Sequence, residues 1–227
     1  MSESVHTVIE GNRGLIRPGD VYVVNAPYNG GTHLPDITVI TPIFDTQGDR
    51  ILFFVGSRGH HADIGGITPG SMPPDSRHVE EEGILFDNFK LVDEGDFLET
   101  ELRDQLASGP YPARNPDQNI ADLRAQIAAG EKGVREVHRM IREFGVDVVP
   151  AYMTHVQDNA EEQVRRVIDV MGDGEFSYSL DEGSEIKVNI KFDRRARDAT
   201  VDFTGTSAQP KNNFNPPSSV ARSAVLY

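Results

Sequence analysis

Two short segments carry the chemistry-bearing residues of this chain: His33-Leu34-Pro35-Asp36 and, a hairpin's length later, His60-His61-Ala62-Asp63. Each sets an imidazole three residues before a carboxylate, in a glycine-rich stretch bordering an apolar run. Brought together by neighbouring strands, two imidazoles and two carboxylates would make a divalent-metal site. The chain has no cysteine, so nitrogen and oxygen must do the ligating, which favours zinc, manganese, iron or nickel over cluster chemistry. Residues three apart on a straight strand point to opposite faces, but on a turn they converge. Gly30-Gly31 and Pro35 favour a turn around the first pair; Gly59 and Gly65-Gly66 do so around the second. His60 and His61 diverge in extended chain, so one of them would reach an ion while the other orients a ligand or contacts substrate. A lone loop histidine is more often hydrogen-bonded or exposed than ligating. The repeat of H-x-x-D across one hairpin raises this pair above that background, although loops fix the geometry less tightly than the helix of H-E-x-x-H.

Other candidates are weaker. Glu80-Glu81-Glu82 could supply a ligand or base, but such a charge run is usually a solvated surface. His78 has no partner at useful spacing, and His138 and His155 fall within helical patterns. Gly65-Gly66-Ile67-Thr68-Pro69-Gly70 lacks the Gly-Lys-Ser/Thr ending of a phosphate-binding loop. Thr204-Gly205-Thr206-Ser207 reads as a strand-ending turn. There is no nucleotide-binding signal and no G-x-S-x-G elbow. A net charge of -14 argues against nucleic acid as a partner. No apolar run approaches the ~20 residues of a membrane span, and residues 1–6 lack the features of a secretory signal. The absence of cysteine fits a reducing, cytoplasmic location.

The elements that must position these residues are legible from periodicity. Val21–Val24, Ile37–Phe44 and Ile51–Val55 read as strands, the last two joined by a hairpin connection at Asp45-Thr46-Gln47-Gly48-Asp49. The continuous apolarity of Ile51–Val55 points to a strand covered on both faces. Gly56 to Glu82 reads as a long functional loop. Ile120, Leu123, Ile127, Val134, Val137, Ile141 and Phe144 form one amphipathic helical stripe, with Gly130 and Gly133 expected to bend or break it. A second helix is expected from near Pro150 to Met171. Strict alternation over Ile186–Phe192, continued by Val201 and Phe203, predicts an antiparallel pair. A last helix starts after Pro216-Pro217 and is cut short at Tyr227. The expected class is α+β with mixed or antiparallel strands around a central helical segment. Residues 1–110 form the strand-rich portion with the metal-site loops, 111–174 the helical segment, and 175–227 the strand pair and terminal helix.

At these residues the chain resembles the hydantoinase B/oxoprolinase family. The matching segments are Gly19–Val21 through Asn25–Tyr28, Gly30–Asp36, Arg58–Gly66 and Pro69–Pro73, followed by Glu81–Gly83, Asn115-Pro116, Asn119–Leu123 and Asp202–Ser207. Ala26 departs from the pattern, where an acidic residue is expected. Relatives are longer at both ends, so the resemblance implies a fragment of a larger multi-domain chain, with Met1 an internal methionine. It also implies a division of labour in a hetero-oligomer. A hydantoinase A-type ATP-binding subunit phosphorylates the amide oxygen of a small cyclic substrate, and the B-type chain completes ring opening with water. Related ketone carboxylase α subunits hold a metal through a histidine, an aspartate three residues on, and a later histidine. Carried over, that places a divalent transition metal (Zn, Mn or Fe) on His33, Asp36 and His60. His60 is preferred to His61 because it heads the second H-x-x-D. His61 and Asp63 remain as catalytic candidates beside the ligand set. The implied activity is ATP-dependent hydrolysis of a hydantoin or 5-oxoproline-type ring; the alternatives are a carboxylase subunit and a non-catalytic remnant.

Overall fold

A computed structural model describes residues Met1–Tyr227. The chain divides into two compact units: Met1–Val137 with Asn212–Tyr227, and His138–Lys211. In chain order the elements are α1 (Ser2–Gly11), β1 (Val21–Val24), β2 (Asp36–Phe44), β3 (Ile51–His60), β4 (Phe89–Asp93), β5 (Asp96–Phe97), α2 (Glu99–Leu106), α3 (Pro116–Phe144), α4 (Val148–Val170), β6 (Gly174–Ser179), β7 (Glu185–Asp193), β8 (Asp198–Asp202) and α5 (Ser218–Leu226). The class is α+β, and every strand pairing is antiparallel. No helix is long and apolar enough to cross a membrane.

The first unit is a five-stranded sheet in the order β3-β2-β1-β4-β5. Side chains alternate across it, and the alternation feeds two cores. Val23, Ile37 and Val39 join Leu102, Leu106 and Leu123 on the α2/α3 side. Tyr22, Val24 and Ile40 join Val8 of α1 on the other. The β2–β3 hairpin is the longest pairing, and its register sets Ile37 against Gly59, Thr38 against Arg58 and Asp36 against His60.

Two sequence expectations change here. Strand β3 continues through Gly56, Ser57 and Gly59 to His60 instead of opening into a loop. The small residues mark close approach, not a turn: a Cβ on Gly59 would sit 3.2 Å from Gln126 Nε2 of α3. For the same reason α3 runs unbroken through Gly130 and Gly133. A Cβ there would meet Thr41 Oγ1 at 2.8 Å and Val55 Cγ1 at 2.9 Å, so both glycines let the helix lie against the hairpin. β3 also forms the edge of the sheet, so its residues stay half-buried although both faces are lined.

The second unit holds α4 and a three-stranded sheet, β6-β7-β8. β6 extends the expected strand pair to three. Arg197, in the β7–β8 turn, pairs with Glu162 and Asp169 of α4, and Arg165 bonds the Ala196 and Arg197 carbonyls.

Candidate metal centre

Asp36 opens β2 and His60 closes β3, so the two face each other at the end of the hairpin remote from its turn. The turn over 33–36 is closed by a hydrogen bond from Asp36 N to His33 O (3.0 Å). It brings His33 over the same end: the His33 and His60 ring centroids are 5.1 Å apart, and His33 Nδ1 is 3.9 Å from Asp36 Oδ2. One donor atom from each of His33, Asp36 and His60 lies within 4.8 Å of the other two. The Thr32 hydroxyl donates to Asp36 Oδ2 (3.2 Å) and lies 3.4 Å from His33 Nδ1. Metal–ligand bonds of about 2.0–2.2 Å hold donors roughly 3–4.4 Å apart. Two imidazole nitrogens and a carboxylate oxygen at this spacing therefore fit a divalent transition ion with little closure. His33 and Asp36 are half-buried and His60 is exposed.

His61 lies on the other face. Alternation turns it toward α3, where it is 1% exposed. Its Nε2 lies 3.1 Å from Gln126 Oε1 and its Nδ1 lies 3.1 Å from Asn119 Nδ2. An amide oxygen accepts and an amide nitrogen donates, which assigns the neutral Nε2–H tautomer. Burial lowers the imidazole's pKa, partly offset by the bond to Gln126. Gln126 Nε2 donates onward to Ile37 O (2.9 Å) and Ser57 O (3.2 Å), so one side chain ties both strands and His61 to α3. Asn119 Nδ2 also donates to Asp63 O (2.8 Å), while Asn119 Oδ1 is buried without a partner.

Asp63 anchors the glycine-rich loop. Its carboxylate accepts from Gly65 N, Gly70 N, Arg114 N and Arg114 Nη1. Burial alone would raise its pKa, but these bonds together hold it below the usual carboxylate value. Arg114 also bonds the Gly65 and Gly66 carbonyls. The structure thus gathers His33, Asp36 and His60, and engages His61 and Asp63 with α3 and with the loop. Of the weaker candidates, Glu81 caps the turn at Arg77 and His78, Glu82 accepts from Ser76, and His155 is exposed. A cavity of about 530 Å³ between the sheet and α3, lined by Asp20, Thr41, Phe97, Arg124 and Glu131, contains none of the histidines.

Sequence reasoning missed Asn119, Gln126 and Arg114. The signal for the first two was present: polar residues seven apart on a helix stand on one face, here inside the apolar stripe of Ile120, Leu123 and Ile127.

Comparison with known proteins extends these observations. A 5-oxoprolinase of Dictyostelium discoideum is 43% identical over 223 residues, covering 93% of this chain and 17% of that protein. The chain thus spans under a fifth of the length of this and several other curated relatives. Among solved structures, the ATP-dependent caprolactamase of Pseudomonas jessenii superposes with a TM-score of 0.80 at 26% identity, over 99% of this chain and 39% of that one. A nucleotide-free acetone carboxylase shares the fold, with a TM-score of 0.78 at 19% identity over 94% of this chain and 30% of that one. The hydantoinase B/oxoprolinase model matches residues 1–227, and the chain belongs to that family.

Proposed function

We propose that this chain is the metal-dependent hydrolytic (B-type) portion of an ATP-dependent enzyme that opens a small cyclic amide of the hydantoin or 5-oxoproline type. The observation that carries the reading is the convergence of His33, Asp36 and His60, with donor atoms within 4.8 Å at the open end of one hairpin. The 5-oxoprolinase and caprolactamase relatives support the substrate class. The likeness to acetone carboxylase, at 19% identity, supports the fold and leaves the carboxylase reading second.

A lactam carbonyl is a poor electrophile. In the proposed division of labour, an A-type ATP-binding partner phosphorylates the amide oxygen. Water then adds to the activated carbon, the ring C–N bond breaks as its nitrogen takes a proton and departs as a still-tethered amine, and a second water cleaves the resulting acyl phosphate to carboxylate and phosphate. His33, Asp36 and His60 would hold a Zn, Mn or Fe ion, which when bound would lower the pKa of water and stabilise charge developing on substrate oxygen. The Thr32 hydroxyl fixes the rotamer of Asp36. His61, capped on both nitrogens, locks the end of β3 to α3 and so aims His60. Asp63 folds the glycine-rich loop that follows.

Elemental mass spectrometry on wild type and His33→Ala, matched by circular dichroism, tests the proposal. The expected result is about one equivalent of a transition metal in wild type, lost in the variant. A folded, metal-supplemented wild type without metal, or a variant that retains it, would overturn the metal assignment. Restored ring-opening with the ATP-binding partner, abolished by His33→Ala, is the expected activity result; none with metal-loaded wild type would favour the remnant.

A further inference from the structure

Arg58 lies on the same face of the hairpin as Asp36 and His60, one rung further in, paired with Thr38. Alternate residues on a strand are about 7 Å apart, which puts Arg58 beside the candidate metal centre. Its surroundings are unusual for a charged side chain. The residue is half-buried, and its guanidinium bonds two hydroxyls and no carboxylate: Nε donates to Thr38 Oγ1 (2.7 Å) and Nη2 to Ser4 Oγ (3.1 Å). Both hydroxyl residues are fully buried. Ser4 in turn donates to Gly30 O (2.7 Å), in the segment that leads to His33. The guanidinium is therefore held in a defined orientation against the loop that carries a site histidine.

Two neutral hydroxyls do not require a cation. A half-buried charge without a counter-ion carries a desolvation penalty, in a chain with 36 acidic residues available against 22 basic ones. The nearby Asp36 is engaged by Thr32 and His33 instead. Of the five N–H groups of a guanidinium, two are used here. The others offer the planar fork that suits phosphoryl oxygens.

We infer that Arg58 is the anion-binding residue of this site and receives a phosphoryl group beside the metal. The inference rests on the function proposed above, in which the substrate arrives phosphorylated and phosphate leaves. Arg58 binds the group that distinguishes the activated amide from the free one, so it selects the phosphorylated form.

Calorimetric titration of inorganic phosphate and of methylphosphonate into the full chain, Mn²⁺-loaded and metal-free, tests this in wild type, R58Q and R58K with matched circular dichroism. R58Q is expected to raise the phosphate Kd about tenfold or more, leaving Mn²⁺ affinity within about threefold. R58K, which keeps the charge and loses the planar fork, is expected to bind phosphate more tightly than R58Q and more weakly than wild type. Equal phosphate affinity in wild type and R58Q, no phosphate binding in wild type, or Mn²⁺ lost in proportion would each overturn the inference. Phosphate binding that depends on Arg58 in a chain that takes up no Mn²⁺ would keep the anion site and sink the metal reading. Tighter methylphosphonate supports a substrate-borne phosphoryl group; tighter phosphate supports the released product.

Discussion

His60 and His61 are consecutive in the chain and live in opposite surroundings. His60 ends β3 on the open face, exposed, with a donor atom within 4.8 Å of donors on His33 and Asp36. His61 points through the sheet to α3, 1% exposed, with both ring nitrogens occupied by amide side chains. Period-two alternation assigns the faces, and what each face packs against decides which ring nitrogens are already hydrogen-bonded. An imidazole whose nitrogens are both satisfied inside the protein has no lone pair to offer; one at a hairpin end beside a carboxylate does. The difference teaches that unspent hydrogen-bonding capacity, which position in the motif does not reveal, separates the two histidines.

If this contrast is right, damage on the two faces should separate. On the inner face, Gln126→Leu strands the His61 Nε2–H and the Ile37 and Ser57 carbonyls together. It should lower unfolding free energy by about 3 kcal/mol in urea denaturation, and a loss below about 1 kcal/mol would break the comparison. On the outer face, His60→Ala should weaken divalent-metal binding by about 100-fold or more. Its metal-free stability should stay within about 0.5 kcal/mol of wild type; a larger loss would show that His60 also supports the fold.

Asp63 sharpens the contrast through pH. Its carboxyl is held below the ordinary value of 3.8 in the folded chain. The folded state therefore binds the proton less readily than the unfolded one. The stability Asp63 contributes is fully present above that value and is lost as pH falls through the depressed pKa. Asp63→Asn should reduce stability at neutral pH by about 1–2 kcal/mol and flatten the acid limb of the stability–pH curve. An unchanged acid limb would place the carboxylate's bonds outside the stability of the fold. The smallest effect is expected for Thr32→Val, which removes one long hydrogen bond to Asp36 (3.2 Å). Metal affinity should fall about threefold with stability unchanged.

The strands of the hairpin and the two long helices were legible because their patterns are long and strongly periodic. The H-x-x-D turn at His33–Asp36 was legible because Gly30-Gly31 and Pro35 announce it. Choosing between His60 and His61 needed the strand to reach position 60, and Gly56, Ser57 and Gly59 disguise that by reading as loop. They are small because α1 and α3 approach them, a long-range cause with no local signature. α2 hid for another reason: its eight residues are mostly polar, with only Leu102 and Leu106 buried. β4 and β6 mix charged and small polar residues among their apolar ones, so neither stands out from the turns beside it. Asn119 and Gln126 interrupt an apolar stripe at one-face spacing, and their role becomes visible only once His61 is known to lie beneath them.

The hairpin that supplies His33, Asp36 and His60 has one free end, and all three donors sit on it. An ion at that position would act as a clasp, opposing the fraying that an edge strand otherwise undergoes. Loading and local opening then become linked equilibria, and each order of magnitude in free metal above its dissociation constant deepens the closed state by about 1.4 kcal/mol. Amide exchange at His61, whose N–H bonds the Pro35 carbonyl across this end of the hairpin, would thus serve as a gauge of occupancy, slowing as metal is added and relaxing on chelation.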